Sequence, residues 1–248
     1  MARQKRAKSE TGIYHIMLRG INKQQVFFDN DDYYMFLDTL SKCKTVSGFI
    51  LHAYCLMNNH VHLLIQEKDE PIDKIFKRFG DSFIYWYNIK YDRTGGIFQG
   101  RFKSIPVNDD EYFISVIRYI HQNPVKAGIV KRCSDYEFSS YNAYFKNPGI
   151  VNTEFAKELI GISEFERIHK EICDQQHLDI SEQNLIRLSD AQAKRLIEMR
   201  TGCTSQKEFL RLSLPVQKTY VEKLRKEGVS VRQIILFTGA SQRTAALR

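Results

Sequence analysis

The 248 residues (29.1 kDa) are 43% hydrophobic and 27% charged, with 13 glycines and 5 prolines, which excludes a disordered or fibrous chain and fits one large domain or a main domain with a smaller companion. Lys and Arg outnumber Asp and Glu by 37 to 29, giving a formal charge of +8 and a pI near 9.1, a balance that favours a polyanionic partner without specifying one. The five cysteines (Cys43, Cys55, Cys133, Cys173, Cys203) are odd in number and contain no Cys-x-x-Cys pair, so neither a disulfide framework nor a zinc ribbon fits. No apolar segment follows the leader ARQKRAKSE, and nowhere do 18 apolar residues run together. A cytoplasmic protein without a membrane partner is the expectation.

In chain order, GIYHIMLR over 12–19 is rich in β-branched and aromatic residues and predicts a strand ended by Gly20, Ile21 and Asn22. Asp29 to Asp32 supply N-cap candidates for a helix with Tyr34, Phe36, Leu37 and Leu40 at helical spacing. Residues 49–57 and 61–66 predict a second and a third strand, joined through Asn58-Asn59, residues that tolerate a tight hairpin. Pro71 opens a helix with Ile72, Ile75, Phe76 and Phe79 on one side, and Gly95-Gly96 marks a loop. Residues 102–107 predict a fourth strand, placed at a sheet edge by Pro106. Asp109-Asp110 caps a helix running to Pro124. The order β-α-β-β-α-β-α is that of a ferredoxin-like split βαβ unit, an α+β fold with an antiparallel sheet.

From about Thr153 the pattern is helical. Near the end, Gly228 would close one helix, Ser230 would cap the next, and Gly239 would sit in the turn before a last helix near Ser241, which is helix-turn-helix spacing. Net charge divides along the chain: +5 over 1–150, −3 over 151–206 and +6 over 207–248. The expected organisation is a catalytic domain over 1–150, a helical spacer over 151–206 and a helix-turn-helix-like region over 207–248.

The sharpest chemical feature is His60-Val61-His62 within a strand. Alternation puts both imidazoles on one face, where they could share a divalent cation, although two histidines on a solvated strand face would give the same pattern. On the helix of 109–123, Tyr119 and Asn123 lie one turn apart and project together. By spacing alone Tyr119 is an ordinary amphipathic-helix tyrosine and Asn123 a helix cap before Pro124.

Five segments join these pieces: YHIMLRGINKQQVFF over 14–28, AYCLMNNHVHLLI over 53–65, FQGRFKSI over 98–105, RYIHQNPVKAGIV over 118–130 and FSSYNAY over 138–144. Together they resemble, in order, the motifs of the single-tyrosine HUH transposases, and most of all the REP-associated tyrosine transposase branch. The resemblance spans residues 8–147. It implies a metal-dependent single-strand DNA endonuclease and strand transferase acting on hairpin-forming DNA ends through a 5′-phosphotyrosine. His60 and His62 would be ligands of Mg²⁺ or Mn²⁺, Tyr119 the nucleophile, and Asn123 the third ligand where relatives place an amide. His121, two residues from Tyr119, is expected to point elsewhere on the helix. The shortest members of the family end near the SSY motif, so the extension departs from them.

Basic residues near the motifs (Arg19, Lys23, Arg101, Lys103, Arg118) and in the C-terminal region (Arg232, Arg243) are candidates for DNA contact. Arg101 and Lys103 alternate with Phe102 and would share a face able to track phosphates, or simply form a solvated basic edge. Trp86 at helical spacing reads as core more readily than as a base-stacking platform. The partners implied are single-stranded or hairpin DNA, with duplex DNA at the C-terminal region, and the protein would work as a monomer or homodimer. Two other readings remain: a domesticated DNA-binding regulator, and a replication initiator or relaxase with the same chemistry.

Overall fold

The computed structural model describes residues 6–171 and 190–245, which fall into two compact units, Met1–Ile21 with Val26–Glu182, and Asn22–Gln25 with Gln183–Arg248. In the first, β1 (Ile13–Arg19), α1 (Asn30–Ser47), β2 (Ile50–Met57), β3 (His60–Gln66), α2 (Ile72–Lys90), β4 (Lys103–Pro106) and α3 (Asp110–Lys126) follow in the order expected. The four strands form one sheet in the order β2-β3-β1-β4 with every pair antiparallel, the arrangement of a split βαβ unit. The short β4 lies at an edge, where Pro106 costs no ladder hydrogen bond.

Local chemistry sets the element boundaries. Asp29 and Asp32 form a reciprocal capping box at the start of α1, and Gly48 ends that helix in the left-handed conformation at φ 65. The buried Asp32 carboxylate also accepts from Lys90 Nζ at 2.9 Å and from the Tyr91 hydroxyl at 2.7 Å, tying the start of α1 to the end of α2. Asp109 caps α3 by accepting from the Tyr112 amide.

Two boundaries differ from expectation. α3 does not stop before Pro124 but continues to Lys126, and the Ala127 amide donates to Asn123 O at 2.9 Å. A proline in the last turn removes only the bond to the carbonyl four residues back, so the helix survives it, and Asn123 is not a cap. β4 begins at Lys103, leaving Arg101 outside the strand. Its neighbour Phe102 packs on Phe76 with ring centroids 4.5 Å apart, under the Arg6 guanidinium at 3.7 Å.

One apolar core runs through this unit from Ile16, Phe36, Val61 and Phe79 to Phe113 and Phe165. Phe165 belongs to α4 (Glu154–Lys170), which packs on α3 and stacks that ring on Tyr144 at 4.2 Å. The expected spacer of 151–206 is therefore divided: α4 completes the core of the first unit, while α5 (Asp190–Thr201) belongs to the second.

In the second unit α5 is followed by α6 (Gln206–Arg211), α7 (Leu214–Lys226), α8 (Val231–Thr238) and α9 (Gln242–Ala245) around a small core of Ala193, Ile197, Phe209, Val221, Leu224 and Ile234. Ser230 caps α8 in a capping box with Gln233, and Gly239 ends it at φ 70. Among the described residues no helix is long and apolar enough to cross a membrane.

Candidate active site on the histidine face of the sheet

Strand alternation places His60 and His62 on one face of β3, with ring centroids 5.1 Å apart. Antiparallel pairing with β1 sets Arg19 opposite His60 and Met17 opposite His62, so Arg19 and His15 share that face. His15 is fully buried, and its Nε2 lies 3.0 Å from His62 Nδ1. His60 Nδ1 lies 2.7 Å from the Oδ1 of Asn59. One nitrogen of each histidine is thereby anchored.

α3 delivers the remaining groups. The Tyr119 ring stands edge-on to His62 at 5.4 Å and to His15 at 5.8 Å between centroids. One turn on, Asn123 Nδ2 donates to the Tyr119 carbonyl at 3.0 Å, and the Asn123 side chain also hydrogen-bonds His60. Lys126 places its ammonium 4.9 Å from the centre of the Tyr119 ring. His60, His62, Tyr119 and Asn123 are thus brought together.

Burial sets the charge of the pair. Desolvation lowers His60 to about 4, with the Arg19 charge adding to the effect and the Asn123 hydrogen bond opposing it. Desolvation, then His60 and His15, hold His62 well below the ordinary imidazole range. Both rings are neutral at neutral pH, which is the form that ligates metals. Among the described residues no three His, Cys, Asp or Glu side chains gather as a metal-ligating set. A divalent ion here would rest on two imidazoles and one amide. That donor set fits: both rings are neutral, each is oriented through one nitrogen, and the amide is in contact with His60.

The other candidates are more dispersed. Arg19 is at the site, half-buried, with its Nε enclosed and unpartnered. Lys103 is exposed on β4 and Arg101 is exposed just before it. Arg118 is turned to α4, where its Nη2 donates to the Glu171 carbonyl at 2.7 Å. Lys23 lies in the 22–25 stretch, at φ 62. Arg232 pairs with Asp190 at 2.7 Å, and the Arg243 side chain lies outside the described residues. His121 points away from Tyr119 toward Ser140 and His169. Trp86 is half-buried against Phe83, a packing role.

Sequence reasoning missed His15 and Asn59. His15 carries a signal in retrospect, because it stands on β1 at even spacing from Arg19 and so shares its face.

Residues 8–123 match the family model described as Transposase IS200 like. The REP-associated tyrosine transposase of Escherichia coli (strain K12) is 24% identical over 163 residues, covering 65% of this chain and 93% of that protein. A putative REP-associated tyrosine transposase of Haemophilus influenzae is 30% identical over 107 residues, 36% of this chain and 57% of the relative. Among solved structures, a REP-associated tyrosine transposase bound to a REP hairpin matches with a TM-score of 0.50 and 21% identity, over 61% of this chain and 89% of that one. At that identity the likeness speaks to the fold.

Proposed function

We propose, from the premise that residues 8–123 form an IS200-like transposase domain, that this protein cleaves and rejoins single-stranded, hairpin-forming DNA with Tyr119 as its nucleophile. The observation that carries this reading is the convergence of Tyr119 with His62, and of Asn123 with His60, on one face of the sheet.

His60, His62 and Asn123 would hold Mg²⁺ or Mn²⁺, and such an ion supplies Lewis-acid charge to the scissile phosphate. The Tyr119 oxygen attacks phosphorus, the bond from phosphorus to the 3′-oxygen breaks, and the phenolic proton passes through solvent to that oxygen. The products are a 5′-phosphotyrosine and a free 3′-OH. One phosphodiester replaces another, so a second 3′-OH can reverse the step and join strands. Arg19, opposite His60, adds positive charge where the phosphate would sit, and Lys126 adds it beside the nucleophile's ring. The two imidazoles and the amide, with no carboxylate, make an exchangeable metal site.

The hairpin substrate follows the relative bound to a REP hairpin. The test is incubation of the purified protein with hairpin and single-stranded oligonucleotides from the DNA flanking its gene, with Mg²⁺ or Mn²⁺. A covalent adduct forms with the wild type and is absent with Tyr119→Phe. A wild type that yields no adduct on any of these substrates overturns the reading. A regulator retaining only DNA binding would instead bind equally well as wild type and as the His60→Ala/His62→Ala double variant, with no cleavage by either.

For the second unit the reading is duplex-DNA binding through α7 to α9, supported by the net charge of +6 over 207–248 and by the capped turn between α7 and α8. Deleting 207–248 should weaken DNA affinity and flatten its dependence on salt. Unchanged binding refutes that role.

A further inference from the structure

α3 is gripped on the side away from the histidine face. His121 is fully buried, with Nδ1 3.0 Å from His169 Nε2 on α4 and Nε2 2.8 Å from Ser140 Oγ. His169 Nδ1 lies 2.7 Å from the Phe165 carbonyl, and the Tyr54 amide of β2 donates to Ser140 Oγ at 2.8 Å. A carbonyl only accepts, so His169 carries its proton on Nδ1. Both rings are packed among Tyr141, Tyr144 and Phe165, and with its proton on Nδ1 His169 presents Nε2 as an acceptor. His121 must therefore donate from Nδ1 and accept at Nε2 from the Ser140 hydroxyl. Every proton in the chain from Tyr54 through Ser140, His121 and His169 to Phe165 points the same way.

Two further contacts bracket Tyr119. Arg118 donates to the Glu171 carbonyl and Gln122 to the His169 carbonyl at 3.1 Å, so side chains of α3 receive carbonyls at the end of α4 that lack helical partners. α4 lies outside the residues that match the family model, so this brace comes from the rest of the chain.

We propose that His121, His169 and Ser140 are positioning residues for Tyr119, forming a one-way hydrogen-bond chain from α4 to β2 that fixes the rotation of α3 about its axis and thereby the line of attack of the phenol. The inference rests on Tyr119 being the nucleophile.

The experiment compares His169→Leu, which fills the space without an acceptor, with His169→Gln, whose Oε1 can stand in for Nε2. The readouts are adduct formation at saturating hairpin oligonucleotide, the oligonucleotide KM, and Tm. The Leu variant should slow adduct formation by about tenfold to a hundredfold with KM unchanged, the scale of a small misplacement of reacting groups. The Gln variant should recover to within about threefold of wild type. A folded Leu variant that reacts at the wild-type rate overturns the proposal. So does equal slowing of both variants in proportion to lost Tm, which is the mark of a merely structural role. If the Leu variant does not fold, Ser140→Ala decides on the same terms: slower reaction at unchanged KM supports positioning, and an unchanged rate refutes it. Failure of the wild type to form any adduct is a separate outcome, which overturns the nucleophile itself and this inference with it.

Discussion

Moving from about pH 7.5 to about pH 5.5 should destabilise the first unit through its buried histidines. His52 packs edge-on to Phe113 at 5.1 Å, and His169 sits against Phe165 at 4.2 Å. Desolvation lowers each to about 4. In the unfolded chain an imidazole takes up a proton near pH 6.5, so between that value and about 4 the unfolded state binds more protons and stability falls as pH falls. Integrating over the stated interval gives about 1.3 kcal/mol per histidine. His62 and His121, also held below the ordinary range, act in the same direction. Carboxylates such as Asp29, whose range is lowered by Lys90 and the Asp32 amide against opposing desolvation, titrate below this window. Residues 183–248 contain no histidine, so the second unit lacks this source of acid sensitivity. Trp86 is the one tryptophan of the chain and lies in the first unit, so urea unfolding followed by its fluorescence reports that unit alone. The wild type should lose stability over the interval, and His52→Leu should lose about 1.3 kcal/mol less. Identical urea midpoints for the wild type at the two pH values, or full acid sensitivity in His52→Leu, would refute the reasoning.

Two other outcomes follow from the packing. His15→Leu removes the group that orients His62, and the Mg²⁺ or Mn²⁺ concentration for half-maximal cleavage should rise by about 10- to 100-fold, read by titrating metal at fixed oligonucleotide. Phe165→Ala should lower the stability of the first unit by about 3–5 kcal/mol, seen as an earlier Trp86 transition in urea, because α4 is part of that core. A chain cut at residue 150 should suffer at least as much.

The strands and helices of the first unit were legible because their signals are local. β-Branched and aromatic residues mark β1, alternation sets the histidines of β3 on one face, aspartates cap α1 and α3, and Pro106 marks an edge. The His60 and His62 pair was legible for the same reason, since period two needs no knowledge of the partner strand. His15 was not, because its meaning comes from the register that sets Met17 opposite His62. Arg118 resembled any exposed helix cation, and only the placement of α4 turns it into a brace for Glu171. Pro124 misled because local propensity places a stop where the last turn of α3, packed on both sides, tolerates the lost bond. The boundary near 150 followed motif extent, whereas the chain divides where its two apolar cores divide.

The alternation along β1 also governs which length changes the protein can absorb. His15 and Arg19 reach the site only because each is an even number of residues from Met17, itself paired with His62. Inserting or deleting one residue between 15 and 19 would send one of them to the far face, with no compensating shift available in a strand flanked on both sides. The stretch from Asp92 to Gly96 is largely exposed, with Gly95 in open space at φ 87. Natural variation in length, and any engineered tag or linker, should therefore accumulate there and be absent from β1.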